Sequence, residues 1–168
     1  CITRNPAGIP TAVVGEAGTG GPVIAILGEF DALPELGQQS GVAEPIPVLD
    51  GGPGHGCGHN MLGSAALMAA AAIKDYLAKN CIEGRVRYYG CPAEEGGAAK
   101  GFMVRAGLFD DVDAAISWHP ATFTAVNEAK SLANTRIDFT FHGRAAHAAG
   151  SPELGRSALD AVEIMNIG

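Results

Sequence analysis

Three residues with metal-binding side chains alternate in the segment His55-Gly56-Cys57-Gly58-His59. A thiolate and neutral imidazoles bind zinc and related divalent ions well, and the intervening glycines allow a loop to bend closely around an ion. Short clusters of this kind also occur as closed structural zinc sites or as ordinary loop residues. The segment therefore indicates a metal site and leaves open whether that site is catalytic.

Two other segments place polar side chains directly after apolar runs. Glu94 and Glu95 follow Pro92, and His119 follows an apolar run. One carboxylate of such a pair can bind a metal while its neighbour acts as a general base, although most paired glutamates are simply solvated. Because adjacent side chains on a turn point in different directions, we expect the two glutamates to have different roles. Taken alone, His119 is more typical of a hydrogen-bonded core histidine.

The order of the predicted elements determines where these side chains should lie. Apolar runs predict strands at 22–28 and 113–118, and the segment 84–91 (GRVRYYGC), ended by Pro92, predicts another strand. Helices are predicted from an N-cap at Asn60 to about Asn80 and over 98–105. This alternation predicts an α/β fold with a mostly parallel sheet flanked by helices. Ligands of such sheets bind beyond the carboxyl ends of the strands, where Asp31, Glu94, Glu95 and His119 are expected.

A second unit is predicted near the end of the chain. Residues alternate between polar and apolar from 131 to 141, which predicts a half-exposed strand, and 156–167 has the pattern of a helix. We therefore expect residues 1–130 to form part of a metal-binding catalytic domain. Residues 131–168 would begin a second domain of the α+β class.

Composition argues against two classes of partner. Eighteen acidic residues against eleven basic ones give a formal net charge of −7, and no Lys/Arg stripe is present, so we expect no nucleic acid. The longest apolar run, 61–73, is shorter than the roughly 20 residues of a membrane span and predicts a buried helix. The four cysteines lack the dense, regular spacing of a secreted disulfide-rich protein, and the sequence does not open with a signal peptide. We therefore expect a cytoplasmic protein.

Five motifs occur in order along nearly the whole chain. They are GEFDALP (28–34), GHGCGHN (54–60), GCPAEEGG (90–97), SWHP (117–120) and HGRAAHAAGSPELGRSALDAVE (142–163). Together they resemble the M20 family of metallopeptidases and amidohydrolases, in particular its aminobenzoyl-glutamate utilization protein B branch. The resemblance implies a phosphorylase/hydrolase-like zinc peptidase catalytic domain, followed by the start of a lid or dimerisation domain.

The resemblance also implies the roles of individual residues. Metal ligands of this branch correspond to Cys57, His59, Glu95 and His119, which would hold two divalent ions, either Mn²⁺ or Zn²⁺. Glu94 matches the general base, Asp31 matches an acidic residue close to the metals, and His147 matches a lid-domain histidine that reaches the active site of the partner protomer. A homodimer, or a heterodimer with a related subunit, is expected through the lid domain.

Three positions depart from the family pattern. Asn60 stands where most of the branch has Asp after the CGH motif, and Glu29 stands where classical M20 peptidases have a metal-binding histidine. The family also supplies a further histidine ligand near its C-terminus, and this sequence has no histidine after His147. The ligand set of the classical peptidases is therefore not transferred to this chain.

The function expected from residues and resemblance together is metal-dependent hydrolysis of the amide bond of N-acyl amino acids. Resemblance favours p-aminobenzoyl-glutamate as the substrate. One alternative is that the chain is a catalytically inactive, truncated metal-binding remnant of such an enzyme. In a weaker alternative, the thiol of Cys91 or Cys57 is the nucleophile.

Overall fold

A computed structural model describes residues 1–126, 128, 130 and 132–168 of the chain. These residues form two compact units, Cys1–Thr124 and Ala125–Gly168, and each unit is described by itself. Residue 131, at which a second domain and a strand are predicted to begin, lies outside the described residues.

The first unit is built on a five-stranded mixed sheet. Its strands, in chain order, are β1 (Ile2–Arg4), β2 (Val13–Thr19), β3 (Val23–Glu29), β4 (Gly84–Cys91) and β5 (Ala114–Ile116), and their order across the sheet is β1-β2-β4-β3-β5. β3 runs parallel to both β4 and β5, while β1 and β2 are antiparallel additions. The α/β class is confirmed, and the three parallel strands are the three that the sequence predicts.

The sequence analysis missed β1 and β2. β1 is exposed along its whole length, and β2 is only half-buried at its start and exposed at its end. Neither strand has the continuous apolar run that marks a strand covered on both faces. β5 differs from expectation in another way, because this apolar strand lies at the edge of the sheet and is exposed in the described structure.

Three helices accompany the sheet: α1 (His59–Lys79), α2 (Glu94–Gly97) and α3 (Ala99–Arg105). The N-cap of α1 is Gly58 in a left-handed conformation, with a φ of 87°, and not Asn60 as predicted. Glycine adopts this conformation without the steric cost of a Cβ atom, so the helix begins closer to the metal-binding motif than predicted. The helix ends at Lys79 with Asn80 as its C-cap, as expected.

Apolar side chains pack on both faces of the sheet. On one face, Ile26 and Val86 contact Ala66 and Ala70 of α1. On the other face, Ala25, Tyr89 and Cys91 form a cluster with Met103 of α3. The strand ends that carry the polar residues are therefore held between two helical layers.

Length and composition alone would allow α1 to cross a membrane, since it has 21 residues and few charges. A core helix passes the same test. Leu62, Gly63, Ala66 and Ala70 form a buried stripe at helical spacing on α1, and two of them contact the sheet. This stripe identifies α1 as a core helix of the first unit.

The second unit contains α4 (Ala158–Ile167), which confirms the predicted helix. Its N-cap is Ser157, whose hydroxyl accepts a hydrogen bond from the Asp160 amide at 3.1 Å. The strand expected over 131–141 is wrong for the part of it that the structure describes, because 132–141 forms no ladder. Alternation of polar and apolar residues suits a half-buried strand, but a strand also needs a neighbour to pair with.

An ion-pair network ties β4 to its surroundings on the α3 side of the sheet. The guanidinium of Arg87 donates to Glu16 of β2 at 2.6 Å, and to both carboxylate oxygens of Asp111 at 2.6 and 2.8 Å. Bidentate pairing of this kind is stronger than a single contact. It holds the pKa of the Asp111 carboxyl down at about 2.

The depressed pKa of Asp111 predicts how stability depends on acid. Since the folded pKa lies below the ordinary value of 3.8, the carboxylate stabilises the fold above about pH 4, and this contribution disappears as the pH falls towards 2. Asp111→Asn should therefore lower the free energy of unfolding at pH 7 and lower it clearly less at pH 2.5, as measured by urea unfolding. Asp110→Asn changes a neighbouring acid outside the Arg87 network and is the control. An equal effect of Asp111→Asn at both pH values would contradict this account.

Candidate metal centre

His59 lies at the centre of the polar cluster and is almost fully buried, with 1% of its surface exposed. Its Nδ1 atom lies 3.1 Å from a carboxylate oxygen of Asp31 and 3.2 Å from the main-chain oxygen of the same residue. Both partners are acceptors, so Nδ1 carries the proton. In the neutral ring, the Nε2 atom therefore presents a lone pair to the interior of the cluster.

The Nε2 atom of His59 faces carboxylates and makes no hydrogen bond. Carboxylate oxygens of Glu29, Glu94 and Glu95 lie 3.2, 3.9 and 4.0 Å from it. The nearest of these, that of Glu29, lies within hydrogen-bonding distance but not in a hydrogen-bonding direction, and Nε2 is left as a buried atom without a partner. An unsatisfied buried polar atom costs about 1–3 kcal/mol, and a lone pair facing anions is worse. A cation at this point would satisfy both groups.

A second pair of metal-binding atoms lies beside His59. The Cys57 sulfur and the Nε2 atom of His119 are 3.2 Å apart, and with a ring nitrogen of His59 they form a group whose atoms lie within 4.8 Å of one another. The Nδ1 atom of His119 is 3.0 Å from the main-chain oxygen of Pro120, which directs Nε2 of this ring towards the sulfur. Two imidazole nitrogens and a thiol therefore converge at one point.

Both glutamates of the 94–95 pair face this cluster. They lie in the first turn of α2, not on an open turn, and their carboxylates are almost equally far from His59 Nε2. The expectation that they have different roles stays a prediction. Of the two, Glu94 and not Glu95 groups with Glu29 and His59 within 4.8 Å in the described residues, although Glu95 is the one expected to be a ligand. The two side chains also differ in exposure, since 40% of the Glu94 side chain is exposed and 27% of the Glu95 side chain.

Asp31 connects the loops that form the cluster. One of its carboxylate oxygens contacts the His59 ring, and the other accepts a hydrogen bond from the main-chain amide of Glu95 at 3.0 Å. Asp31 follows β3, His59 begins α1, and Glu95 follows β4. A single carboxylate thus fixes the direction of one imidazole and the position of the glutamate turn. Asp31 therefore orients both elements.

Two glycines allow the close approach of these elements. A Cβ atom on Gly58 would lie 3.3 Å from the Pro120 ring and would also disfavour the positive φ of this residue, so glycine lets the Cys57 loop meet the His119 loop. A Cβ atom on Gly63 would lie 2.6 Å from the main-chain oxygen of Glu29, so α1 can pack directly on the end of β3 only with glycine here.

The two thiols named as alternative nucleophiles have raised pKa values. Partial burial raises the pKa of Cys57, and the carboxylates of Glu95, Glu94 and Glu29 raise it further. Burial also raises the pKa of Cys91, to about 11, and no part of its surface is exposed. Since the thiolate is the nucleophile, these environments argue against thiol catalysis at neutral pH. A bound cation would reverse the effect at Cys57.

The net charge of the cluster suits two divalent ions. Cys57 as a thiolate and the carboxylates of Glu29, Asp31, Glu94 and Glu95 carry five negative charges, and the ammonium of Lys100, which contacts Glu29, offsets one of them. Without cations the thiol of Cys57 keeps its proton, and the remaining excess of about three negative charges in partly buried surroundings is strongly unfavourable. Binding of cations favours the thiolate and brings the excess to four. Two divalent cations would neutralise it, and sulfur, imidazole and carboxylate are the ligands that zinc and manganese accept.

Some residues of the cluster were missed by the sequence analysis, and some expected ones lie elsewhere. Glu29 was noted only as a departure from the family pattern, although a charged residue that ends a buried apolar strand is a signal in itself. Lys100 gave no signal. His55 belongs to neither group of metal-binding atoms found in the described residues, and His147 lies in the second unit.

Comparison with known proteins agrees with this geometry. The sequence model of peptidase family M20/M25/M40 matches residues 25–166. The chain belongs to this family. In solved structures, the chain is similar to the YxeP protein of Bacillus subtilis, described as a dinuclear metal binding peptidase of the M20 family, with a TM-score of 0.55 and 30% identity over 71% of this chain and 32% of that one.

Two relatives of this M20 chain are the two components of p-aminobenzoyl-glutamate hydrolase in Escherichia coli. The B-type component is 56% identical over 99% of this chain and 35% of its own length. The A-type component is 34% identical over 89% of this chain and 36% of its own length. The chain thus spans about a third of the length of these relatives.

The position of Asp31 predicts its effect on metal binding. Residues that orient metal ligands commonly contribute about 10–100-fold to metal affinity. Asp31→Asn removes the charge opposite His59 and places an amide near the Glu95 N–H, so affinity for Zn²⁺ or Mn²⁺ should fall by about this factor in calorimetric titrations. Asp50→Asn, in an exposed loop, should bind as the wild type does. Unchanged affinity in folded Asp31→Asn would show that this carboxylate does not orient the ligands.

Proposed function

We propose that the protein to which this M20 chain belongs is a metal-dependent amidohydrolase acting on N-acyl amino acids. The observation that carries the proposal is the buried Nε2 lone pair of His59, which faces three carboxylates and lacks a hydrogen-bond partner. A cluster of this composition is costly without cations. Hydrolases use such cations for chemistry that side chains alone perform poorly.

The proposed ligands are Cys57, His59, Glu95 and His119, which would hold two divalent ions, Mn²⁺ or Zn²⁺. Their Nε2 and sulfur atoms converge, and oxygen partners on Nδ1 direct both rings. When bound, the ions would supply an activated water at neutral pH and polarise the amide carbonyl. Asp31 keeps the His59 ring and the glutamate turn in place for this chemistry.

Glu94 is proposed as the general base. Its carboxylate faces the cluster and is more exposed than that of Glu95, which suits a group that must meet both water and substrate. Glu94 would accept the proton of the attacking water on a carboxylate oxygen. It would then deliver this proton to the nitrogen of the departing amine, so that an acid and an amine leave.

His147 is proposed to hold the oxygen of the amide as negative charge develops there, acting from the partner protomer. Its Nδ1 atom accepts hydrogen bonds from the main-chain amides of Ala149 and Gly150, at 3.2 and 2.8 Å. An accepting Nδ1 atom leaves the proton of the neutral ring on Nε2. The ring is therefore prepared as a donor, which is what the stabilisation of an oxyanion requires.

The proposed substrate and assembly follow from the relatives. Both Escherichia coli proteins are named as components of p-aminobenzoyl-glutamate hydrolase, so we propose p-aminobenzoyl-glutamate as the substrate. We propose a dimer through the domain that begins near residue 131, with an identical chain or with a related A-type component. A cytoplasmic location remains a prediction from the sequence.

The base assignment is tested by Glu94→Gln in the full-length protein. The amide keeps the size of the side chain but cannot take a proton, so kcat should fall by about 100-fold or more while two divalent ions are still bound. Hydrolysis of p-aminobenzoyl-glutamate and metal content would be measured together, with Glu44→Gln, in an exposed loop, as the control. Unimpaired turnover would eliminate Glu94 as the base. Substoichiometric metal and no turnover in the 168-residue chain would support the alternative that this chain alone is an inactive metal-binding remnant.

Action of His147 across the dimer is tested by mixing two inactive variants. A His147→Ala protomer retains Glu94, and a Glu94→Gln protomer retains His147, so a mixed dimer contains one complete site. Recovery of up to about a quarter of the wild-type rate is expected after random re-association, with each variant alone as the reference. No recovery, despite mixed dimers demonstrated by mass spectrometry, would contradict action from the partner.

A further inference from the structure

Glu29 is a buried carboxylate that the proposed ligand set does not use. It is the last residue of β3, and only 8% of its surface is exposed. An ionised carboxylate in such a place needs compensation by cations or strong hydrogen bonds. Its two oxygens have different surroundings. Oε1 contacts the ammonium of Lys100, and Oε2 faces the His59 ring.

The contact with Lys100 accounts for one oxygen of Glu29 and leaves the other to be explained. Oε2 lies 3.2 Å from His59 Nε2 without forming a hydrogen bond, and the single proton of the neutral ring is assigned to the opposite nitrogen, which lies next to two acceptor oxygens of Asp31. Two atoms with lone pairs therefore face each other inside the protein. Nothing in an ion pair between Glu29 and Lys100 would favour this arrangement.

The separation of these two atoms fits ligands of one cation. Zinc binds imidazole nitrogen and carboxylate oxygen at about 2.0–2.2 Å, so two ligands in tetrahedral arrangement lie about 3.4 Å apart. The observed 3.2 Å is close to this value. Glu29, His59 and Glu94 also form a group whose metal-binding atoms lie within 4.8 Å of one another. Oε2 is thus in position to bind the ion that His59 binds.

We propose that Glu29 is a further ligand of the cation bound by His59, and that Lys100 offsets part of the charge of this carboxylate through its other oxygen. The proposal rests on the proposed metal-dependent function. Lys100 lies on α3 and contacts only Oε1 of Glu29, so it belongs to neither group of metal-binding atoms in the described residues. The ammonium neutralises part of the buried charge and leaves Oε2 for the metal.

A competing explanation is that Glu29 serves only to pair with Lys100. The two explanations differ in what happens when each partner is removed. If Glu29 is a ligand, Glu29→Gln weakens metal binding, whereas Lys100→Met leaves the carboxylate in place and does not weaken it. If the pair is only structural, the two substitutions affect metal binding equally, because each breaks the same contact.

The experiment is a calorimetric titration of the full-length, chelator-treated protein with Zn²⁺. For Glu29→Gln, we expect the affinity of one of two sites to fall by about 10–100-fold and the other to change less than about twofold. Lys100→Met should bind at least as tightly as the wild type. Wild-type affinity at both sites in Glu29→Gln, or an equal fall in both variants, would overturn the proposal.

Two additional variants serve as controls, one for a folding defect in the single variants and one for the loss of a carboxylate elsewhere in the sheet. The double variant Glu29→Gln/Lys100→Met leaves no uncompensated buried charge and should fold, and we expect it to show the same weakened site as Glu29→Gln. Full affinity in the folded double variant would overturn the proposal. Glu16→Gln breaks the ion pair with Arg87 on the same sheet and controls for the loss of a carboxylate elsewhere. A wild-type protein that binds no Zn²⁺ would instead refute the proposed function itself.

Discussion

The buried imidazole of His59 imposes the constraint on which the rest of the first unit depends. Its Nδ1 proton is held by Asp31, so its Nε2 lone pair must face inward, and the space in front of that lone pair contains carboxylates. Each of these groups repels the others when no cation is present. Divalent ions bound at this point, as proposed above, would supply the positive charge that the arrangement lacks.

The architecture creates this constraint through the ends of parallel strands. β3, β4 and β5 are parallel, so their carboxyl ends lie on the same side of the sheet. The segment that follows each strand contains a residue of the cluster or Asp31, which orients it. α1 begins at the same edge and carries His59 in its first position, while the indole of Trp118 donates a hydrogen bond to the Leu62 oxygen and ties the His119 segment to that helix. Four separate parts of the chain are therefore held together. Asp31 bonds to two of them at once.

Much of this could be predicted from the sequence because the strong signals are local. Apolar runs indicated β3 and β5, and valine and tyrosines bounded by Gly84 and Pro92 indicated β4. The rule that ligands lie beyond the carboxyl ends of parallel strands then placed Asp31, the glutamate pair and His119 together. β1 and β2 escaped because their exposed or half-buried segments lack such runs. The helix start was misplaced because the left-handed φ of Gly58 depends on packing against Pro120, a contact between residues distant in sequence.

The roles of Glu29 and Lys100 could not be predicted for the same reason. Their contact joins β3 to α3 across 71 residues of sequence.

The central claim is that divalent ions bind among Cys57, His59, Glu95 and His119, and the most direct measurement is a crystal structure of the zinc- or manganese-loaded protein with anomalous scattering data. The account predicts two anomalous peaks about 2.0–2.3 Å from ligand atoms of this cluster. An absence of peaks there, in crystals of protein that contains the metal, would contradict it.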